Sequence, residues 1–255
     1  MPPQINWPVF VLSNPSTQGY NVAPAFPQHS ERSSTQENQM EYVLTATKTE
    51  APAGSYYDKI WRLYDLTFKL NGYGRSLDQY FASNPPPISR GARVLDAGCG
   101  TGLLTLALLR SIRFPVSITS LDLSASSVTA TKKAVNQSEG RRRDVSYTQG
   151  NVLALPFADG SFDFVVTSGA LEYMPLEDGL NELARVLSPR GHLLHLPVRP
   201  AMTSLLLEIC FRFKHHPPKE VMQKTLQRFR VVDHHQFPPL QPIGWSKTAL
   251  LAQKR

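Results

Sequence analysis

The sequence is short of several things, and each shortage excludes a class of protein. It has only two cysteines, Cys99 and Cys210, in 255 residues. Two thiols cannot build a disulfide framework or a cysteine-based metal site, so a reducing compartment, the cytoplasm, is expected. No run of about 18 apolar residues occurs, so no transmembrane helix is expected. The first thirty residues contain neither Lys nor Arg and no continuous apolar core, which argues against a secretory signal or an Arg-rich transit peptide. No internal repeat is found.

Apolar residues are not scarce. At 41% they suffice for a sizeable core, and the length fits one α/β domain with an extension. The net charge is +7; the first fifty residues carry two basic and four acidic side chains, so that stretch is −2 and the remainder +9. A basic body attracts nucleic acid, anionic lipid or an acidic small molecule. Its densest block, Arg141-Arg142-Arg143 beside Gly140, reads as a solvated loop. Residues 1–50 hold six prolines and much Ser, Thr, Gln and Asn. That composition predicts a mobile arm, distinct from a domain at 51–255.

Residues 53–83 read as helical, with a break at Gly72 to Gly74. Tyr57, Ile60, Trp61, Tyr64 and Phe68 share one face at three- and four-residue steps. Asn84-Pro85-Pro86-Pro87 ends the helical region. From residue 92 the pattern alternates. Strands are predicted over 93–96, 116–121, 145–149, 162–167 and 192–197, with helices over 101–110, 124–136 and 176–187. Such alternation implies a parallel sheet with helices on both faces. Further helices are predicted over 202–213 and 219–229. The last two strands, 230–237 and 245–253, have no helix between them and should pair antiparallel, closing the sheet with a reversed edge.

The strongest chemical signal is Val94-Leu95-Asp96-Ala97-Gly98-Cys99-Gly100-Thr101-Gly102: a strand, a Gly-rich turn, then a helix whose N-terminus presents unpaired N–H groups. Leu103 breaks the G-x-G-x-x-G dinucleotide fingerprint. Four more segments follow in order. They are Leu121-Asp122-Leu123-Ser124, then Gly150-Asn151-Val152-Leu153-Ala154-Leu155-Pro156-Phe157, then Asp159-Gly160-Ser161-Phe162-Asp163, and finally Glu182…Arg185-Val186-Leu187 with Pro189-Arg190-Gly191. Together they resemble the class I S-adenosylmethionine-dependent methyltransferases over about residues 53–255. Two departures stand out: Asn151 where the family usually has Asp, and Arg190 where it has Gly.

The resemblance implies a Rossmann-like, seven-stranded, mostly parallel sheet with an antiparallel C-terminal edge strand. It implies S-adenosylmethionine bound by Asp96, Gly98, Cys99, Gly100, Thr101 and Gly102, with Asp122 and Leu123 at the ribose. Asn151, Val152 and Leu153 would meet the adenine, the Asn151 oxygen accepting from its amine, and Ser168 would also touch the cofactor. Tyr57 and Tyr64 belong to a helix similar to one that covers the cofactor in small-molecule members. Methyl transfer is an in-line displacement that needs alignment and exclusion of water. A base is needed only where the acceptor must lose a proton, and the candidates are Glu172, Tyr173 and His195. His195 also suits a satisfied core histidine. His215-His216 and His234-His235 read as surface residues, because neighbours on a helix or strand point apart. No metal is expected.

Asn84-Pro85-Pro86-Pro87 lacks the aromatic of nucleic-acid amino-methyltransferases, so no nucleic-acid partner is expected. Glu172 stands without the second glutamate of protein-arginine enzymes. A small acceptor remains. Met202, Leu205, Leu206, Ile209 and Phe213 form an apolar helical face, widened by Leu207, Cys210 and Phe211. It lies where the family places its acceptor insertion, so the acceptor is expected to be lipophilic: a natural product, quinone or lipid. The same face and the +9 body fit peripheral membrane contact. A second reading keeps fold and cofactor without methyl transfer, as a cyclase or scaffold.

Overall fold

A computed structural model describes residues 72–138, 144–199, 215–238 and 241–255. The expected arm at 1–50, the helical face bearing Tyr57 and Tyr64, the arginine block at 141–143 and the apolar segment 201–213 lie outside the described residues.

The helical region predicted to break near Gly72 starts afresh there. Gly72 is left-handed (φ 79°) and caps α1, Tyr73–Ser83. The alternation then runs β1 (Arg93–Ala97), α2 (Leu103–Ser111), β2 (Ser117–Asp122), α3 (Ala125–Gln137) and β3 (Asp144–Gln149). It continues with β4 (Phe162–Ser168), a 3₁₀ turn (Leu171–Tyr173), α4 (Leu176–Val186) and β5 (Leu187–Leu196). The chain finishes with α5 (Pro218–Arg228), β6 (Phe229–Gln236), a second 3₁₀ turn (Pro242–Trp245) and β7 (Thr248–Lys254). Helix α3 opens on the predicted serine: the Ser124 hydroxyl accepts the Ser127 N–H at 3.3 Å, the usual way of satisfying a first-turn donor.

Seven strands form one sheet in the order β3-β2-β1-β4-β5-β7-β6. β1 to β5 pair parallel, and β7 runs antiparallel to both β5 and β6. The reversed strand therefore lies one place in from the edge, with β6 outside it. Strand β4 is apolar on both faces, as a central parallel strand must be. One face packs Val94, Val166, Leu194 and Leu196 against α1 and α2. The other packs Leu95, Val165, Leu193 and Leu250 against α4 and α5.

Residues 150–161 join β3 to β4 without a helix, and α4 holds them in place. The Leu155 N–H donates to Glu182 Oε1 at 2.7 Å. Arg185 donates to the carbonyls of Leu155 and Phe157 at 3.0 and 2.8 Å, and to the Glu182 carboxylate at 2.7 Å. These bonds hold the Glu182 carboxyl below its ordinary range, so the clamp is ionic at neutral pH. Arg93 closes the same connection: it ties β1 to Asp163 of β4 through its backbone N–H (2.9 Å) and guanidinium (3.1 Å), and also donates to the Gly160 carbonyl at 3.2 Å.

Arg190 occupies the turn inside β5 with φ 62°, the one non-glycine with positive φ among the described residues. Where the family carries glycine, the arginine takes a left-handed conformation of the kind glycine adopts freely. A left-handed L-residue costs about 1–2 kcal/mol, and glycine returns part of that through its larger unfolded-state entropy. Arg190→Gly is expected to stabilise the chain by about 0.5–1 kcal/mol, read as a raised urea midpoint at unchanged m-value. An unchanged or lower midpoint would count against backbone strain here.

Candidate functional site

Parallel strands all end on one side, so the turns after β1, β2 and β4 meet above the same edge. The turn after β1 is where glycine is obligatory. Gly98 takes φ 80°, and a Cβ there would lie 2.4 Å from the Ala170 Cβ of the turn after β4. Gly102 takes φ 85°, and its Cβ would press Thr131 of α3 at 3.1 Å. No side chain caps α2 at Gly102, so its first-turn N–H groups face the turn.

Asp122 locks this arrangement. Its Oδ2 accepts the Gly100 N–H and its Oδ1 the Ser124 N–H, both at 2.9 Å. Burial raises its carboxyl pKa while these two bonds lower it. Asp96, at the end of β1, is fully buried; the Thr105 hydroxyl donates to its Oδ2 at 2.5 Å, and its Oδ1 has no protein partner. Burial pushes its carboxyl up to about 7. Cys99 is buried and receives the Thr131 hydroxyl at 3.4 Å, and burial pushes its thiol well above the usual range. Thr101 is half-buried behind it. Next to this turn, the Leu123 carbonyl takes Gln149 Nε2 at 3.1 Å, Val152 is buried and Leu153 is 37% exposed. The Asn151 side-chain oxygen accepts the Leu153 N–H at 2.9 Å, which leaves its second lone pair for another donor.

Across the edge lies a second group of polar residues. The Ser168 hydroxyl is 2.9 Å from the Tyr73 hydroxyl of α1. Glu172 is buried in the 3₁₀ turn; its Oε1 accepts the Val198 N–H at 2.5 Å and its Oε2 has no protein partner. Tyr173 beside it is 41% exposed. His195 points into the α4–α5 layer, as a core histidine would, but it is not satisfied. Neither ring nitrogen has a protein partner, and burial pushes its pKa down to about 4, so the ring is neutral. His216, expected at the surface, instead meets the Leu171 carbonyl at 3.0 Å. His235 packs on Tyr80 and Phe237 with ring centroids 5.3 and 5.0 Å away. Among the described residues no His, Cys, Asp or Glu group could hold a metal. A cavity of about 190 Å³ opens between α5, β6 and the end of β5, walled by Val198, Val221, Met222 and Leu250 with His216 and His234.

Sequence reasoning missed Tyr73, Thr105, Thr131 and Lys247. Thr105 and Thr131 sit at positions that any amphipathic helix fills, and no spacing rule marks them. Tyr73 directly follows Gly72 and could have been flagged as the first residue of a restarted helix.

The geometry admits comparison with known proteins. The family described as methyltransferase domain matches residues 95–195. The demethylmenaquinone methyltransferase of Corynebacterium glutamicum (strain R) is 32% identical over 166 residues, covering 62% of this chain and 66% of the relative, just under two thirds of its length. That of Bacillus velezensis is 30% identical over 169 residues, covering 64% of this chain and 70% of the relative. Two solved structures share the fold. A geranyl diphosphate methyltransferase in complex with GPP and sinefungin has TM-score 0.59 at 16% identity, covering 71% of this chain and 77% of that one. The [4+2]-cyclase SpnF has TM-score 0.57 at 19% identity, covering 71% and 80%.

Two outcomes follow for the turn. Gly98→Ala is expected to cost roughly 2–4 kcal/mol through overpacking and a left-handed alanine, and adding Ala170→Gly should recover part of it. Additive losses in a urea double-mutant cycle would show that the two turns do not touch. The second outcome concerns Asp96. Its folded pKa of about 7 lies above the unfolded value, so the folded chain keeps a proton that the unfolded chain has released. Stability should therefore fall as pH rises from about 4 to about 7. Asp122, also raised, slopes the same way and cancels in the comparison with Asp96→Asn. The melting temperature of Asp96→Asn minus that of the unsubstituted chain should grow across that window. A constant difference would mean that Asp96 titrates normally.

Proposed function

The chain belongs to the class I S-adenosylmethionine-dependent methyltransferases, and on that footing we propose that it methylates a small lipophilic acceptor. The observation that carries the reading is the turn after β1. There Gly98 leaves no room for a side chain, Asp122 fixes the N–H groups of Gly100 and Ser124, and Asp96 keeps a buried, unpartnered Oδ1. The residues fit the cofactor. A zwitterionic nucleoside needs backbone donors, a carboxylate at its hydroxyls and a buried acceptor for its ammonium. S-adenosylmethionine, when bound, supplies a methyl group on a sulfonium that leaves as a neutral thioether.

The protein's own work is to position and to exclude water. Asp96 Oδ1, the glycine turn and Thr101 would hold the amino-acid end. Asp122 and Leu123 would hold the ribose, and Asn151, Val152 and Leu153 the adenine. Ser168 and Tyr73 close the turn after β4 beside it. Glu172 is the best placed base: it is buried, one oxygen is uncommitted, and it stands in the loop that packs on Gly98. The apolar cavity beside Val198 and the apolar sequence at 201–213 support a lipophilic acceptor. So do the names of the relatives, which refer to demethylmenaquinone, and of a fold neighbour, which refers to geranyl diphosphate. No helix among the described residues is long and apolar enough to cross a membrane. The two-cysteine composition supports the cytoplasm.

The likeness to SpnF at 19% identity carries the fold alone, so the cyclase reading has no observation of its own here. Two measurements test the proposal. Asp122→Ala removes two charge-assisted bonds worth about 1.5–3 kcal/mol each and should weaken S-adenosylhomocysteine binding at least about tenfold by calorimetry. Unchanged affinity would remove the turn from the cofactor site. Incubating the protein with S-adenosylmethionine and cell extract should give a metabolite heavier by one CH₂ in mass spectrometry. No such gain, with cofactor bound, would turn the reading toward a non-methylating protein.

A further inference from the structure

Lys247 is a charged residue that neither the fold nor the cofactor turn accounts for. It is 3% exposed, and among the described residues its ammonium makes one hydrogen bond, a long one of 3.4 Å to the Leu196 carbonyl. A buried ammonium wants three acceptors, so keeping one here costs stability unless other charges or a ligand offset it. Its location is specific. The Nζ lies 3.0 Å from where a Cβ on Gly169 would stand, and the next residue, Ala170, is the one that closes on Gly98. The loop after β4 is thus sandwiched between the glycine turn on one side and the ammonium on the other.

The compensating charge is Glu172, and one residue aligns both groups. Val198 gives its N–H to Glu172 Oε1 at 2.5 Å and pairs antiparallel with Lys247 across the start of β7. Burial lowers the Lys247 pKa, and the Glu172 carboxylate pulls it back up. The other titratable groups around the pair are His195, kept neutral by burial, His216 on the Leu171 carbonyl, and Tyr73 on Ser168 and Tyr173 beside Glu172, whose phenols burial holds well above their usual range. Glu172 Oε2, both nitrogens of His195 and the Thr167 hydroxyl are buried without protein partners. Three elements, β4, the 3₁₀ turn after it and β5, therefore hold uncommitted polar atoms near this end of the sheet.

We propose that Lys247 is the acceptor's oxyanion-binding residue, with Glu172 as the base that generates that oxyanion from a phenol or enol. The inference rests on the methyltransferase reading and narrows its acceptor to an acidic hydroxyl. The acceptor O–H bond breaks, the proton bonds to Glu172 Oε2, and the electron pair stays on the acceptor oxygen. The charge of Lys247 is then balanced by the oxyanion instead of the carboxylate, so net charge in the buried site does not change. A neutral pair exchanging partners avoids the large cost of creating an unpaired charge in a low dielectric. After transfer the proton returns from Glu172 to solvent.

The test uses the full chain saturated with S-adenosylhomocysteine and 4-nitrophenol as probe, its phenolate read by absorbance against pH. An opposite charge a few ångströms away lowers an acid's pKa by one unit or more, so bound probe should ionise at least about one pH unit lower than free probe. Lys247→Met should abolish that shift, and Glu172→Gln, which leaves the ammonium uncompensated, should enlarge it. If Lys247→Met does not fold, the Lys247→Met/Glu172→Gln pair removes both charges and should likewise show no shift. Probe that does not bind the unsubstituted chain, or binds with its free pKa, overturns the inference. So does a shift that survives in either methionine variant. A purely structural lysine would alter melting temperature without moving the probe's ionisation. Calorimetry with S-adenosylhomocysteine alone keeps the two levels apart: failure there overturns the methyltransferase reading, whereas cofactor binding without a phenolate shift overturns only the role of Lys247.

Discussion

The carboxylate of Asp122 accepts the Gly100 N–H with one oxygen and the Ser124 N–H with the other, so the turns after β1 and β2 share one anchor. Much of the ligand edge depends on this. The anchored turn holds Gly98 left-handed, and only a left-handed glycine lets Ala170 approach. The approach of Ala170 sets the loop after β4, and that loop carries Ser168, Gly169 and Glu172. A carboxylate suits the task because each oxygen has two lone pairs. One oxygen pair can hold two backbone donors and still accept from a ligand hydroxyl.

The parts of this architecture that repeat with a period were legible in the sequence. Strand and helix alternation from residue 92 onward matches the observed elements to within a few residues at most ends, and β5 alone starts five residues earlier than predicted. The reason is the Pro189-Arg190-Gly191 turn, which reads as a stop but lies within the strand, with Arg190 tolerating a glycine's φ. The glycine turn and Asp122 were legible because their chemistry requires those residue types at that spacing. What was not legible depends on distant pairing. Nothing near Lys247 in sequence marks it as buried; its meaning comes from Val198 and Glu172, 49 and 75 residues earlier. His216 looked like half of an exposed doublet and is instead fixed by a carbonyl on another element. The Asn151 oxygen, which the motif places at the adenine, also engages the Leu153 N–H in a local Asx geometry that spacing alone does not show.

Charge is distributed unevenly across the sheet's two ends. At the N-terminal ends of β1 and β4, Arg93 and Asp163 form an exposed pair of the kind that contributes little to stability. At the other end, Asp96, Glu172, His195 and Lys247 are nearly or fully buried. Folding would be easier with apolar residues at those four positions. Their retention concentrates electrostatic cost where strand ends, turns and open helix N–H groups already converge, which is the usual signature of a site that acts on a ligand.

The strand order also has a consequence for biosynthesis. β7 fills the slot beside β5, and β6, made earlier, can join the sheet only through β7. Until residues 248–254 have left the ribosome, the outer rim of β5 is a row of unpaired peptide groups with Leu193 and Leu194 behind it. The nascent chain must therefore carry an open, sticky flank until β7 emerges. The Gly244 bend, where a side chain would meet the Pro238 carbonyl at 2.7 Å, shapes the hairpin that ends that exposure. Anything that slows the bend lengthens the interval in which a chaperone, or another nascent copy, can occupy the place of β7.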